Sequence, residues 1–133
     1  MSTDLTYGFK KTLSASLDEA DARVREALKK EGFGVLTEID VKGTLKQKLG
    51  VDFRPYRILG ACNPSLAHRA LTAELDIGLL LPCNVVVYAG EREGTSVVAI
   101  LDPAKQLAVS DRSDLAPLAE EVRTKMRRVL DAL

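Results

Sequence analysis

Val85-Val86-Val87-Tyr88-Ala89, then Gly90-Glu91-Arg92-Glu93-Gly94, then Ser96-Val97-Val98-Ala99-Ile100-Leu101: these residues fix the class of fold. Two β-branched, apolar runs flank five residues with a glycine at each end, which is the pattern of a hairpin. A hairpin needs antiparallel neighbours. The strict strand–helix alternation of a dinucleotide fold is missing, as is any G-x-G-x-x-G or phosphate-loop sequence. Both runs are apolar at odd and even positions alike, so both faces of this part of the sheet ask for cover.

Working outward, residues 56–62 read as a further strand with Tyr56, Ile58 and Cys62 on one face. Asn63-Pro64 then opens a helix, Asn as cap and Pro in the first turn. Its apolar face is Leu66, Ala67, Ala70, Leu71 and Leu75. Residues 5–13 alternate and read as one strand; Lys11 interrupts its apolar side, which suits a sheet edge. Ser16 and Glu19 form a capping box for a helix with the stripe Leu17, Ala20, Val24, Ala27 and Leu28, closed by Gly32. Residues 35–41 alternate as a strand. Residues 42–50 read either as a short amphipathic helix or as a mobile loop, and residues 104–112 as irregular. A last helix starts near Ser113 or Asp114, with Leu115, Leu118, Val122, Met126, Val129 and Leu133 facing the core. The basic run Arg123, Lys125, Arg127 and Arg128 suits the negative end of that helix. The expected architecture is one α+β domain over residues 1–133, with helices on one face of an antiparallel or mixed sheet.

Composition sets limits. The chain has 133 residues, 46% hydrophobic and 29% charged, enough for one self-supporting core. Basic and acidic groups number 19 each, and the balance is even: 11 against 9 in residues 1–66, 8 against 10 in residues 67–133. Nucleic-acid or anionic-membrane binding needs a positive surplus, so neither is expected. The longest strongly apolar stretch, residues 77–81, falls far short of the ~20 residues that span a bilayer. The N-terminus shows no signal-peptide pattern, and two cysteines are too few for a secreted disulfide scaffold, so a cytoplasmic location is the default.

Chemistry points to the two cysteines. Each is followed by an asparagine, Cys62-Asn63 and Cys83-Asn84, and each stands at a strand end. With the intervening helix bridging antiparallel neighbours, both fall at one end of the sheet and could face each other. Cys62 precedes a helix N-terminus, where positive partial charge favours a thiolate. Asn63 and Asn84 offer amide donors. Three readings stand: two packed cysteines, a redox or ligand-contacting thiol pair, or a metal site of Cys62, Cys83, His68 and Asp102, which matches no zinc spacing. Glu38 and Asp40 on one strand face read as solvated acids, and Asp102 before Pro103 as a turn residue.

Asp40-Val41, residues 45–50, Gly60-Ala61-Cys62-Asn63-Pro64, residues 78–88 with Leu81-Pro82-Cys83-Asn84, and Asp102-Pro103 together resemble the bacterial and archaeal family known as domain of unknown function 302. The resemblance runs from about residue 7 to residue 133. It implies a curved antiparallel sheet of about five strands with helices on one face, akin to the TATA-binding-protein-like fold. It implies dimers and no activity. DNA binding does not follow from the fold, since a basic, intercalating surface is lacking.

The functional expectation is a small ligand or thiol chemistry near Cys62, Asn63, Cys83 and Asn84, with no metal. The rival is a non-catalytic structural or interaction module. A homodimer is expected in either case, because a second copy is the simplest cover for a sheet apolar on both faces. The bland alternative is that residues 42–54 fold across that face.

Overall fold

The computed structural model describes residues 2–133. Six strands form one wholly antiparallel sheet in the order β1-β2-β6-β5-β4-β3. They are β1 (Ser2–Leu5), β2 (Gly8–Leu13), β3 (Gly34–Asp40), β4 (Tyr56–Cys62), β5 (Cys83–Ala89) and β6 (Ser96–Leu101). The helices are α1 (Leu17–Lys30), α2 (Val41–Leu49), α3 (Pro64–Ala73), α4 (Pro103–Ala108) and α5 (Ala116–Asp131), with short 3-10 turns at Leu75–Leu80 and Ser113–Leu115. This is the α+β class expected. None of the described helices is long and apolar enough to cross a membrane.

The β5–β6 hairpin lies at the centre of the sheet, with Val87 opposite Val98 and Val85 opposite Ile100. These four side chains, with Phe9 and Leu59, are buried against α1 and α5. From α1 come Val24 and Leu28; from α5 come Met126, Val129 and Leu130, all fully enclosed. Fully burying a side chain of this size stabilises by about 1.5–3 kcal/mol, so this layer is the main source of the fold. The Ser16 hydroxyl accepts from Glu19 N–H at 3.2 Å, as the capping box predicts, and Gly32 after α1 has φ +84°.

Three expectations need correction, and one open alternative is decided. The single first strand is two, joined at Thr6 and Tyr7, so the sheet has six strands and β1, not β2, holds that edge. Lys11 does not mark an edge: β2 lies between β1 and β6, and the Lys11 ammonium donates to the carbonyl of Leu133. Residues 42–50 are helical, capped by Asp40, whose carboxylate accepts from Gly43 N–H at 3.0 Å, and ended by Gly50 at φ +68°. Residues 104–112 are irregular only in their second half: α4 covers Pro103–Ala108, capped by Asp102, which accepts from Ala104 N–H at 2.9 Å, and turns follow over 109–111.

The charges of α5 are spent on ties rather than on its dipole. Arg123 pairs with Asp102 at 3.2 Å, Arg127 with Asp4 at 2.8 Å, and Arg128 with Glu31 at 2.9 Å. Arg127 also lies 4.1 Å from the centre of the Phe9 ring. On the far side, buried Asp21 of α1 pairs with Arg25 and Arg57, and Arg25 continues to Glu38. The expected solvated acids thus have structural partners: Glu38 is ion-paired, and Asp40 caps a helix.

Among the described residues, no helix packs on the opposite face of the sheet to match. Its central rows run Lys10, Ala99, Val86, Ile58, Ile39 and Thr12, Val97, Tyr88, Tyr56 by the strand registers. Tyr56 and Tyr88 stack at 5.1 Å, and Phe53 leans on Tyr56 at 6.2 Å. Helix α2 contributes no buried residue, so residues 42–54 border this face without sealing it.

Candidate functional site

A cavity of about 340 Å³ opens at the end of the sheet where β4 finishes and β5 begins. The strands supply Ala61, Cys62 and Cys83. Helix α3 supplies Leu66, Ala67 and Ala70; the segment after it, Gly78, Leu81 and Pro82. Leu107 of α4 with Leu118 and Val122 of α5 closes the far side. Leu36 and Thr37 reach it from β3, where the pairing with β4 shifts by one residue between Val35 and Thr37. That bulge leaves Leu36 69% exposed. None of the residues around the cavity carries a charge at neutral pH.

Local sequence explains how the walls meet. Asn63 caps α3, its Oδ1 accepting from Leu66 N–H at 3.3 Å while its Nδ2 donates to the carbonyl of Glu31 at 3.3 Å. The residue therefore ties α3 to the end of α1 and has little left for a ligand. Gly60 lets β3 and the Leu81-Pro82 segment close together: a Cβ there would strike Thr37 Oγ1 and lie 2.8 Å from Pro82 Cγ. The Leu81–Pro82 peptide is cis.

The two thiols are not a pair. Register places Ala61, not Cys62, opposite Cys83. Cys62 is one residue along and on the alternate side of the strand, so the expectation that the thiols face each other fails; both are free. They share a cavity rather than a bond. Cys83 is buried, and burial pushes its thiol up to about 11, with the neighbouring Cys62 thiol adding to the effect. Cys62 is half-exposed. Asn84 does not join them. Period two turns it to the uncovered face, beside Tyr56, Val86 and Tyr88. His68 is exposed on α3, and Asp102 is occupied by its cap and by Arg123. Among the described residues, no group of three His, Cys, Asp or Glu side chains could hold a metal.

Several cavity residues carry no signal of their own in the sequence, among them Phe33, Leu107 and Gln106. Gln106, on the buried side of α4, lies against the cavity, and its Nε2 donates to the carbonyls of Leu80 and Pro82. The helix that carries Leu107 and Gln106 does signal itself: Asp102-Pro103 is the same cap-then-proline opening as Asn63-Pro64.

The family Domain of unknown function DUF302 matches residues 9–133. The chain belongs to this family. A crystal structure of an uncharacterized conserved DUF302 protein from Bacillus stearothermophilus is 32% identical in sequence. That alignment covers 96% of this chain and 98% of that one, with a TM-score of 0.86. Comparison with curated proteins gives no match.

Proposed function

We propose that the protein is a binding module for a small apolar molecule, held in the cavity beside Cys62 and Cys83. One observation carries the reading: about 340 Å³ of space walled by aliphatic side chains, two thiols and no charged group. Binding sites for small molecules run roughly 300–1,000 Å³ and are mostly apolar with few polar groups. Catalysis by the thiols is disfavoured. Cys83 is held protonated by burial, and His68 is exposed on α3 and does not line the cavity. The thiols serve as soft, polarisable wall.

Titration with the neutral dye N-phenyl-1-naphthylamine tests this. The native protein is expected to raise the dye's fluorescence saturably, and Ala67→Trp, which fills the space from α3, to abolish the rise while keeping the native circular dichroism. A response unaltered by Ala67→Trp, or none in the native protein, counts against the cavity.

A second reading concerns assembly, and the uncovered sheet face favours it. Tyr56, Tyr88, Ile58, Val86 and Ala99 form a continuous apolar surface there. We propose that a second copy of the chain covers it in a homodimer. The two readings are compatible, because the cavity and this face involve different residues apart from the strands they share.

A further inference from the structure

We infer that the uncovered face of the sheet carries a second binding site, for a small aromatic monocarboxylate, with Lys10 as its anion-binding residue. The site is a trough of about 370 Å³ that shares no lining residue with the cavity beside Cys62 and Cys83. By strand register, Lys10, Ala99 and Val86 form one row across the face. Tyr88 and Tyr56 stand in the row on one side, and Leu101 and Asn84 in the row on the other. The short side chains of Ala99 and Val86 thus form a floor between taller walls, and Tyr7 joins them from the turn between β1 and β2. All three tyrosines of the chain line this trough. Tyr56 is raised by burial first and then by Tyr88 and Tyr7, so the three hydroxyls lie close together and that of Tyr56 stays a donor at neutral pH.

Charge decides the class of ligand. Among the described residues, Lys10 is the one charged group lining the trough, half-buried beside aromatic and aliphatic side chains. The strands offer it no acid. Their three carboxylates, Asp4, Glu38 and Asp40, stand opposite Phe9, Leu59 and Arg57, on the helical side of the sheet. Each is taken there: Asp4 by Arg127, Glu38 by Arg25, and Asp40 as the cap of α2. A lone ammonium at the edge of an apolar trough favours an anion. One cation matches the single charge of a carboxylate, whereas a phosphate monoester carries nearly two at neutral pH. The Asn84 amide and the tyrosine hydroxyls are donors for the other lone pairs of a carboxylate. Tyrosine rings favour an aromatic partner beyond the area buried, and the volume, at the small end for ligand sites, suits one or two rings. The inference needs no second copy of the chain. One seated on this face would bring another Lys10 and, from its strands, no carboxylate, so the demand for an anion remains.

Isothermal titration of 2-naphthoate against 2-naphthamide at pH 7 isolates the charge, since the two differ only in carboxylate against neutral amide. The native protein is expected to bind the acid about tenfold more tightly, the worth of one charge-assisted hydrogen bond. In Lys10→Gln that preference should shrink to about twofold or less, while Lys10→Arg, which keeps the charge, should retain it. The saturated acid decalin-2-carboxylate is expected to bind about threefold more weakly than 2-naphthoate. Equal affinity for acid and amide, or the full preference kept in Lys10→Gln, overturns the role of Lys10. Loss of the preference in Lys10→Arg as well assigns the lysine a structural role and overturns it too. Equal affinity for the aromatic and saturated acids overturns the aromatic class. No binding of 2-naphthoate overturns the site. Sedimentation equilibrium of the same samples separates this from the homodimer. A mass of one chain with Lys10-dependent binding contradicts the dimer alone, and a mass of two chains without binding overturns the trough alone.

Discussion

Cys83 illustrates how much one residue's surroundings alter its chemistry. In sequence the Cys83 thiol stands open to a packed, a reactive or a metal-binding role; burial in the fold raises it from 9.0 to about 11, which favours the packed one. The sign of the linkage follows. The folded state holds the proton more tightly than the unfolded chain, so the contribution to stability is complete below about pH 9 and lost as pH rises through about 11. Urea melts of native protein and Cys83→Ala across that window are expected to show a steeper alkaline loss for the native chain. Identical slopes would place Cys83 in contact with water. Tyr56, raised by burial and by Tyr88, adds a further alkaline loss that the Cys83 variant retains. Gly60 is the residue-scale determinant of the cavity's geometry. Gly60→Ala should destabilise by about 1–3 kcal/mol through the clash with Thr37 and Pro82, and Thr37→Gly should recover part of that in denaturant melts. Additive losses would mean that Thr37 is not the obstacle.

Among the elements, the caps determine where walls stand. Asn63 and Asp102 each hold the first turn of a helix that lines the cavity, and each also reaches another element: Asn63 the carbonyl of Glu31, Asp102 the guanidinium of Arg123. Loss of such a cap costs about 0.5–2 kcal/mol. Asn63→Ala and Asp102→Ala are therefore expected to lower stability by at least that much by chemical denaturation, with Arg123→Ala costing less than Asp102→Ala because it leaves the cap intact. Equal effects of the two would assign the whole role of Asp102 to the ion pair. Most elements were legible because one-sided periodicity and cap residues are local: α1, β4, α3 and the hairpin begin and end where Ser16, Gly32, Asn63 and Gly90 say they should. Helix α4 was not, because six residues are too few to display a helical period, and Asp-Pro alone also marks a turn. Gln106 was lost with it. The break at Thr6 and Tyr7 was hidden for a related reason: alternation continues across a tight turn when both flanking strands share it.

For the whole molecule, the sheet is covered on one face only. The apolarity of the central strands on both sides is the trace of this in the sequence: Val85, Val87 and Val98 are buried beneath the helices, while Val86, Tyr88 and Ala99 of the other face stay partly exposed. A homodimer through the open face predicts that Ile58→Asp, opposite Val86 and Ile39, halves the mass seen by sedimentation equilibrium at micromolar concentration. A native mass of one chain would contradict it. The cavity was only partly legible. The cysteine motifs located the right end of the sheet. Register, which places Ala61 opposite Cys83, separated the two thiols, and strand alternation removed Asn84. The remaining walls come from α4, α5 and the β3 bulge, residues 36 to 122, whose convergence is a property of packing and not of any local pattern.

We propose above all that the space beside Cys62 and Cys83 binds a small apolar molecule. Methyl-resolved NMR tests it most directly, with 1-octanol titrated into the native protein. Saturable shifts are predicted at Leu66, Leu71, Leu107, Leu118 and Val122, which wall the cavity, with Val86 and Val97 on the uncovered face unmoved. Absence of saturation at the first group, or shifts centred on the second, would contradict it.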